Sequence, residues 1–236
     1  MAKIFSLFSK EASSRTVLYA YLAILIALWT LIIGISLWFG LENTYSRAEE
    51  YARIQARTAS AKDEAYLRWA ARLGGIYAPV TEKTMPNPYL DVKGRDIATP
   101  TLQLTKITPE YMVRLIHEME AAETSTGVLG HLTSNRPLRP ANKSDEWEAG
   151  ALENMDKDRS ITQVSGLEFI NGQEYMRLIY PLIASPVCGD CHVGIKRGDL
   201  VGGLSASVPM APILASADRM ATIYVVSHGV LWALGI

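Results

Sequence analysis

The chain has 236 residues, of which 49% are hydrophobic, and its 23 lysines and arginines nearly balance its 24 aspartates and glutamates. A net charge near zero lacks the basic footprint of a nucleic-acid binder, so nucleic acid is excluded as a partner. The length allows one domain of moderate size together with membrane segments. The two cysteines stand three positions apart, which excludes a framework of disulfides and indicates that the pair acts as one unit.

The first predicted element is a transmembrane helix at residues 17–41, which form an uncharged apolar run. At about 1.5 Å per residue this run is long enough to cross a hydrocarbon core of roughly 30 Å. It exceeds the core of a typical signal peptide, and no small-residue cleavage site follows it, so we expect an uncleaved anchor. Lys3, Lys10 and Arg15 precede the run, and the positive-inside rule therefore keeps residues 1–16 in the cytoplasm.

A second apolar run, at residues 220–236, predicts a second transmembrane helix at 218–236 that the end of the sequence leaves short. Residues 42–217 would then form a periplasmic domain of a bacterial inner-membrane protein. His228 lies inside the second run, where a polar group is costly, and is a candidate contact for a quinone or a b-type haem. This layout is typical of a receptor whose output domain follows the second helix.

The residues between the two runs predict an α+β domain. The first helix should continue outward and end at Gly74-Gly75, and residues 77–100 should form a loop with extended pieces. Further elements follow in chain order: a strand at 102–107, a helix at 109–123 capped by Thr108, a strand at 127–134, a helix from the cap Ser144 to about Met155, and strands at 162–169, 174–183 and 200–208, with Asn171-Gly172 as a hairpin turn. The pattern predicts a PAS-like antiparallel sheet with flanking helices, between two transmembrane helices.

One short motif carries chemistry, the C-x-x-C-H sequence formed by Cys188, Cys191 and His192. Two thiols at this spacing can each add to one vinyl group of the same porphyrin, and the adjoining imidazole can then bind the iron. The motif therefore predicts one covalently attached c-type haem. Such attachment takes place outside the cytoplasmic membrane, which agrees with the side that the charge pattern assigns to the domain.

Other readings of the cysteine pair are a strained disulfide, a redox C-x-x-C or half of a zinc site. A zinc site needs two further cysteine or histidine ligands, and a thioredoxin-like motif belongs at the start of a helix after a strand, a context that this segment lacks. We find no pairing of nucleophile and base and no phosphate loop, so no enzymatic activity is predicted within the 236 residues. An output enzyme domain would have to follow in a longer chain.

The sixth position of the haem iron has several candidate ligands. Met112 is the first choice, because it lies with Leu115, Ile116 and Met119 on one apolar stripe of the predicted helix. His131, His117 and Met119 are alternatives, as is a water-bound or vacant iron. Arg136, Arg139 and Arg177 are candidates for pairing with the haem propionates, since a guanidinium matches a carboxylate in a bidentate way.

Five segments resemble the Tll0287-like family of PAS-like haem c sensor domains. They are residues 72–90, 107–118, 130–142, the motif at 188–192 and 198–210. The resemblance implies a periplasmic PAS-like fold, often ahead of a kinase, cyclase or chemotaxis module, with the haem held by Cys188, Cys191 and His192. Some members supply a distal cysteine where this sequence has Met112; a thioether there would favour the ferrous state and raise the potential.

Two functions follow from the motif and the layout. The first is a redox or gas sensor domain of a signal-transduction receptor, with a small gas or a redox change as its signal. The second is a membrane-tethered monohaem cytochrome for electron transfer to a redox partner, or an accessory haem subunit of a larger membrane complex. A receptor of this kind is expected to work as a homodimer in the membrane.

Overall fold

The computed structural model describes residues 14–123, 127–184 and 194–236. The C-x-x-C-H motif at 188–192 lies outside these described residues. The described chain divides into two compact units, one of which comprises the residues up to Ala48 together with Ile213–Ile236. The other unit is Glu49–Pro212 and contains both sheets. The predicted order of elements can therefore be compared with the structure within each unit.

The first unit contains the N-terminal part of helix α1 (Ser14–Arg72), up to Ala48, and most of helix α4 (Met210–Leu234). In the part of the chain that the structure describes, Thr16–Arg72 is the one helix long and apolar enough to cross a membrane. The second predicted span, at residues 218–236, lies largely in helix α4. Asp218 and Arg219 make this helix less apolar than the first span. A layout with two spans thus remains a prediction.

Side-chain hydrogen bonds join α1 to α4 within the first unit. The Tyr45 hydroxyl donates to Asp218 at 2.9 Å, and Ser36 lies 3.1 Å from Nε2 of His228. The other ring nitrogen of His228 is 2.8 Å from the carbonyl of Tyr224, which can only accept. Nδ1 of His228 therefore donates to this carbonyl. These two pairs of polar side chains thus link α1 to α4.

The second unit contains two antiparallel sheets. The smaller has the order β1-β3-β2, and the larger has the order β4-β7-β6-β5. Their strands are β1 (Ile76–Pro79), β2 (Asp96–Ala98), β3 (Gln103–Ile107), β4 (Leu129–Thr133), β5 (Val164–Ile170), β6 (Gln173–Ile183) and β7 (Leu200–Pro209). The helices are α2 (Pro109–Glu123) and α3 (Glu146–Lys157), with a short 3-10 turn at Pro140–Asn142. The predicted α+β class with antiparallel sheets and flanking helices is confirmed.

Local sequence signals placed several boundaries correctly. The Thr108 hydroxyl accepts a hydrogen bond from the amide of Tyr111 at 3.3 Å, which caps α2 at the predicted position. Asn171 and Gly172 both have positive φ, 51° and 79°, as the tight turn between β5 and β6 requires. Gly74 and Gly75 also have positive φ and end α1.

The predicted cap of α3 was wrong by one residue. Asp145, not Ser144, caps this helix, because its carboxylate accepts from the amide of Glu148 at 2.9 Å while Glu148 accepts from the amide of Asp145 at 3.2 Å. This reciprocal pair is a capping box. The hydroxyl of Ser144 instead donates to Asn135.

The larger sheet has two different faces. On the first, which we call the α3 face, Ala151, Leu152 and Met155 of α3 pack against Ile179. On the opposite side, which we call the cavity face, Leu132 and Leu204 pack against Val113 of α2, with Leu67 of α1 alongside. Successive strand residues point to opposite sides, so each strand contributes to both faces.

Candidate haem-binding cavity

A cavity of about 860 Å³ lies on the cavity face of the larger sheet. Its volume falls in the range of roughly 300–1,000 Å³ that is common for small-molecule and cofactor sites. Apolar side chains from α1 and three strands form much of the wall, namely Leu67, Leu132, Leu182, Val201 and Leu204. Such a wall suits a flat apolar ligand.

The cavity lies where the chain leaves the sheet toward the C-x-x-C-H motif. Leu182 and Ile183 at the end of β6, and Val201 and Gly202 at the start of β7, all line it. Beyond these strands, the amide of Ala184 donates to the carbonyl of Asp199 at 2.8 Å, and the amide of Gly198 donates to the carbonyl of Ala184 at 3.0 Å. The segment with the motif therefore connects two paired strand ends at the edge of the cavity.

Cations outnumber acids around the cavity. The charged residues in its lining are Arg68, Lys93, Lys106, Arg114 and Arg139 against Glu64 and Glu110. Arg114 lies with its guanidinium carbon 4.2 Å from the centre of the Tyr111 ring. Its buried Nε atom has no hydrogen-bond partner among the described residues. This Nε lies 3.6 Å from a carboxylate oxygen of Glu118, an ion pair without a hydrogen bond, so the donor is available to an anionic group of a ligand.

This combination fits a haem, which carries two carboxylates on an apolar macrocycle. The leucine-rich wall would bury the macrocycle, and the guanidinium groups would face the carboxylates. The predicted thioether and proximal ligands, Cys188, Cys191 and His192, lie outside the described residues. Their assignment therefore stays a prediction from the motif.

Of the three arginines predicted to contact propionates, one lines the cavity. Arg139 is half-buried in its lining, whereas Arg136 is exposed and is not part of the wall. Arg177 is not part of the wall either. It is buried on the α3 face, where its guanidinium lies 3.0 Å from Glu148, 2.7 Å from Asp145 and 4.5 Å from the centre of the Trp147 ring. These contacts pair a terminal nitrogen of Arg177 with carboxylates of the protein, whereas its buried Nε has no hydrogen-bond partner among the described residues.

Helix α2 presents Tyr111 and Arg114 to the cavity, and Met112 is half-buried outside its lining. The expected apolar stripe was wrong at its C-terminal end, because Met119 is 51% exposed while Tyr111 and Val113 are the buried residues. The prediction from hydrophobicity put Met119 in the buried stripe of α2, whereas the aromatic Tyr111 is the side chain that is buried. Ligation of iron by Met112 remains a prediction.

His131 lies on the α3 face, because its neighbour Leu132 points to the cavity face. Nδ1 of His131 is 3.1 Å from both carboxylate oxygens of Glu148, and Nε2 is 3.2 Å from the carbonyl of Ala141. The hydrogen bond with Glu148 raises the pKa of His131 above its ordinary value. Both ring nitrogens are thus engaged away from the cavity.

Glu148 is the centre of this network and was missed by the sequence analysis. Burial alone would raise the pKa of its carboxyl, but the hydrogen bond with His131 and the charge of that ring lower the pKa to about 2. The carboxylate is therefore ionised inside the protein, between His131 and Arg177. The signal that could have found it was the capping-box spacing of Asp145 and Glu148.

His117, another candidate ligand, joins α2 to α1. Its Nε2 lies 2.7 Å from Oδ2 of Asp63, and both side chains are largely buried. The ring packs directly over Gly130 of β4, so closely that a Cβ atom at this position would clash with it. This contact and the ion pair between Lys62 and Glu120 connect the two helices.

The protein is thus of the α+β class, with two antiparallel sheets and an apolar cavity edged by cations. The Tll0287-like family model matches residues 42–209, which is more than half of the chain. The chain belongs to the Tll0287-like family, which confirms the resemblance seen in the sequence.

One solved structure is similar in part, the crystal structure of the cyanobacterial heme-protein Tll0287. The sequence identity is 16%, and the TM-score is 0.33 over 39% of this chain and 65% of that chain. The match therefore spans slightly less than two-thirds of that protein. No curated protein matches the chain.

Proposed function

We propose that the chain is a membrane-anchored haem protein that holds one c-type haem through Cys188, Cys191 and His192 and acts as a redox or gas sensor. One observation carries the proposal: the connection with the C-x-x-C-H motif joins two strand ends that line an apolar cavity of about 860 Å³. Membership of a family that includes a cyanobacterial heme-protein supports it.

Attachment of the haem needs two thiols and one imidazole. Each thiol adds across a vinyl group, so that one carbon–sulfur bond forms and the thiol proton passes to the other vinyl carbon. His192 remains free to bind the iron through a ring nitrogen. When bound, the haem supplies an iron that can change its oxidation state or take a gas as ligand.

The membrane anchor rests on α1. Its N-terminal part is uncharged over residues 17–41, and Lys3, Lys10 and Arg15 come before it. These charges favour a cytoplasmic N-terminus and a periplasmic haem domain in a bacterial inner membrane. Paired polar groups such as Ser36 and His228 support α4 as a second membrane helix.

Helix α2 provides a route from the cavity to α1. It lines the cavity with Tyr111 and Arg114, and within two turns after Arg114 it contacts α1 through His117 and Glu120. A change at the cavity that displaces α2 would therefore act on α1 through these contacts. The signal would then be a shift between two packed arrangements of the helices.

Haem attachment is tested by intact mass and by the pyridine haemochrome spectrum of the purified chain. The wild type should carry the added mass of one haem and the spectrum of two thioether links, and Cys188→Ala should lose one link or the whole haem. Asp190→Asn is the matched control, since it changes the motif but keeps both cysteines and the histidine. A wild-type chain without added mass, isolated from cells that make c-type cytochromes, contradicts the proposal.

Sensing is tested by absorption spectra of the haem-loaded chain during redox cycling and exposure to CO or NO. A sensor that exchanges its distal ligand should change its coordination in at least one of these conditions. Constant coordination in all of them would exclude sensing by ligand exchange and favour the electron carrier.

A further inference from the structure

Two arginines at the cavity share a single carboxylate. Arg114 of α2 and Arg139, which precedes the 3-10 turn, both line the cavity. Nε of Arg114 and a terminal nitrogen of Arg139 are each 3.6 Å from the same oxygen of Glu118. Two guanidinium groups from different elements thus meet at one point of the wall.

The carboxylate of Glu118 engages few of the N–H donors of Arg114 and Arg139. A separation of 3.6 Å is longer than a hydrogen bond, so these are ion pairs without the directional bonds that arginine can form with a carboxylate. Arg139 donates one hydrogen bond, to Asn142 at 3.1 Å, and the buried Nε of Arg114 has no partner among the described residues. Each guanidinium has five N–H donors, so carboxylates from a ligand could still bind here.

Glu118 does not line the cavity, and its side chain is 54% exposed. It is therefore free to turn into solvent when a ligand carboxylate approaches the arginines from the cavity. A carboxylate that arrives with an apolar body against Leu132 and Leu204 would match both the charge and the shape of this wall.

We propose that Arg114 and Arg139 form a carboxylate-binding pair that receives the propionate groups of the haem, with Glu118 as an internal competitor for the same guanidiniums. The assignment rests on the proposed haem function and deepens it. It also places the propionates next to α2, the helix that connects the cavity to α1.

The test compares haem with haem dimethyl ester, which has the same macrocycle but no carboxylates. The full chain with Cys188→Ser and Cys191→Ser cannot form thioethers and should bind both reversibly, so that their affinities can be measured by absorption titration in detergent. Arg114→Gln should weaken the binding of haem by about tenfold or more, the usual effect of losing a hydrogen bond to a charged group, and leave the ester unchanged. Arg139→Gln should act in the same direction.

Two variants serve as controls. Arg136→Gln removes an exposed arginine outside the wall, and it should change the affinity for neither ligand. Glu118→Gln removes the competitor, and it should strengthen the binding of haem but not of the ester.

Equal losses for haem and ester would overturn the proposal, because the arginines would then only support the wall. An equal effect of Arg136→Gln would also overturn it, as would unchanged haem affinity in both arginine variants. If the Arg114→Gln chain binds neither ligand, the Arg139→Gln chain tests the proposal instead, because Arg139 is the more exposed of the two arginines. A parent chain that binds neither ligand refutes the haem site itself, whereas one that binds both equally in every variant refutes the arginine pair alone.

Discussion

The two faces of the larger sheet are formed by the same strands but differ in how their side chains are packed and paired. On the α3 face, Leu152 and Met155 are almost fully buried, and the ionised Glu148 lies between His131 and Arg177. On the cavity face the strands border a space of about 860 Å³, where Nε of Arg114 has no hydrogen-bond partner among the described residues. The α3 face is therefore filled by packed side chains, whereas the cavity face borders open space.

This division follows from the alternation of side chains along each strand. His131 points to Glu148 while the next residue, Leu132, lines the cavity. In β7, Gly203 lies close to Leu152 and Ile179 of the α3 face, whereas Leu204 lines the cavity. A single residue step thus separates the packed α3 face from the wall of the cavity, and the two faces can be tested separately.

The largest effect is expected from Glu148→Ala. The substitution leaves the buried Arg177 with less compensation, and breaking a buried ion pair typically costs about 3–5 kcal/mol. The free energy of unfolding can be measured by urea denaturation followed by circular dichroism. Glu153→Ala on the same helix is the control, because its exposed pair with Lys157 should contribute no more than about 0.5 kcal/mol. Similar losses in the two variants would show that the network is not stabilising.

The next comparison truncates a leucine on each face. Leu152→Ala on the packed α3 face should cost about 2–5 kcal/mol, because a cavity is left in a filled core. Leu182→Ala on the cavity face should cost about 1 kcal/mol, since this side chain already borders open space and loses fewer contacts. The same urea titrations measure both. Equal costs would mean that the cavity is closed in solution.

A methyl group at Gly130 should affect only the contact between the cavity face and the helices. Gly130→Ala would push the His117 ring from its position and weaken its 2.7 Å contact with Asp63, at a cost of about 1–3 kcal/mol. Gly166→Ala is the matched control, because this strand glycine has open space around it. Thermal unfolding of both variants checks the difference, and an unchanged melting temperature for Gly130→Ala would contradict it.

The smallest expected effect is a dependence of stability on pH that comes from titratable groups on the α3 face. The pKa of Glu148 is lowered from 4.5 to about 2, so its contribution to stability is present above pH 4.5 and is lost as the pH falls toward 2. The pKa of His131 is raised above 6.5, so its contribution is complete below pH 6.5 and is lost as the pH rises through the folded value. Thermal unfolding across pH should therefore show a decline on the alkaline side that His131→Gln removes. An identical alkaline decline in His131→Gln would assign it to other groups.

Much of the fold was predictable from local patterns. Thr108 and Pro109 marked the start of α2, and Asn171-Gly172 marked the turn between β5 and β6, because caps and tight turns depend on neighbouring residues. The strands after this turn were predicted to within a few residues of β6 and β7. The extended pieces of residues 77–100 were also recognised, although their pairing with β3 was not.

The candidate site was harder to predict. Residues of one strand that are adjacent in sequence, such as His131 and Leu132, serve opposite faces, and the sequence does not say which face holds a ligand. Arg177 had the chemistry of a propionate contact, but its position on β6 pairs it with Glu148. Arg114 was overlooked because nothing in its surroundings along the chain marks it as part of a wall.

The sequence by itself determined the apolar helical run, the order of helices and strands and the cysteine pair with its adjoining histidine, since each depends on a run or spacing within a short segment. Tertiary structure alone decided which arginines line the cavity, which histidines are already engaged and which carboxylate is buried. These outcomes depend on contacts between residues far apart in the chain, such as Asp63 with His117 and Arg139 with Glu118. Long-range packing sets burial and charge pairing, and those two quantities separate a structural side chain from one that is available to a ligand.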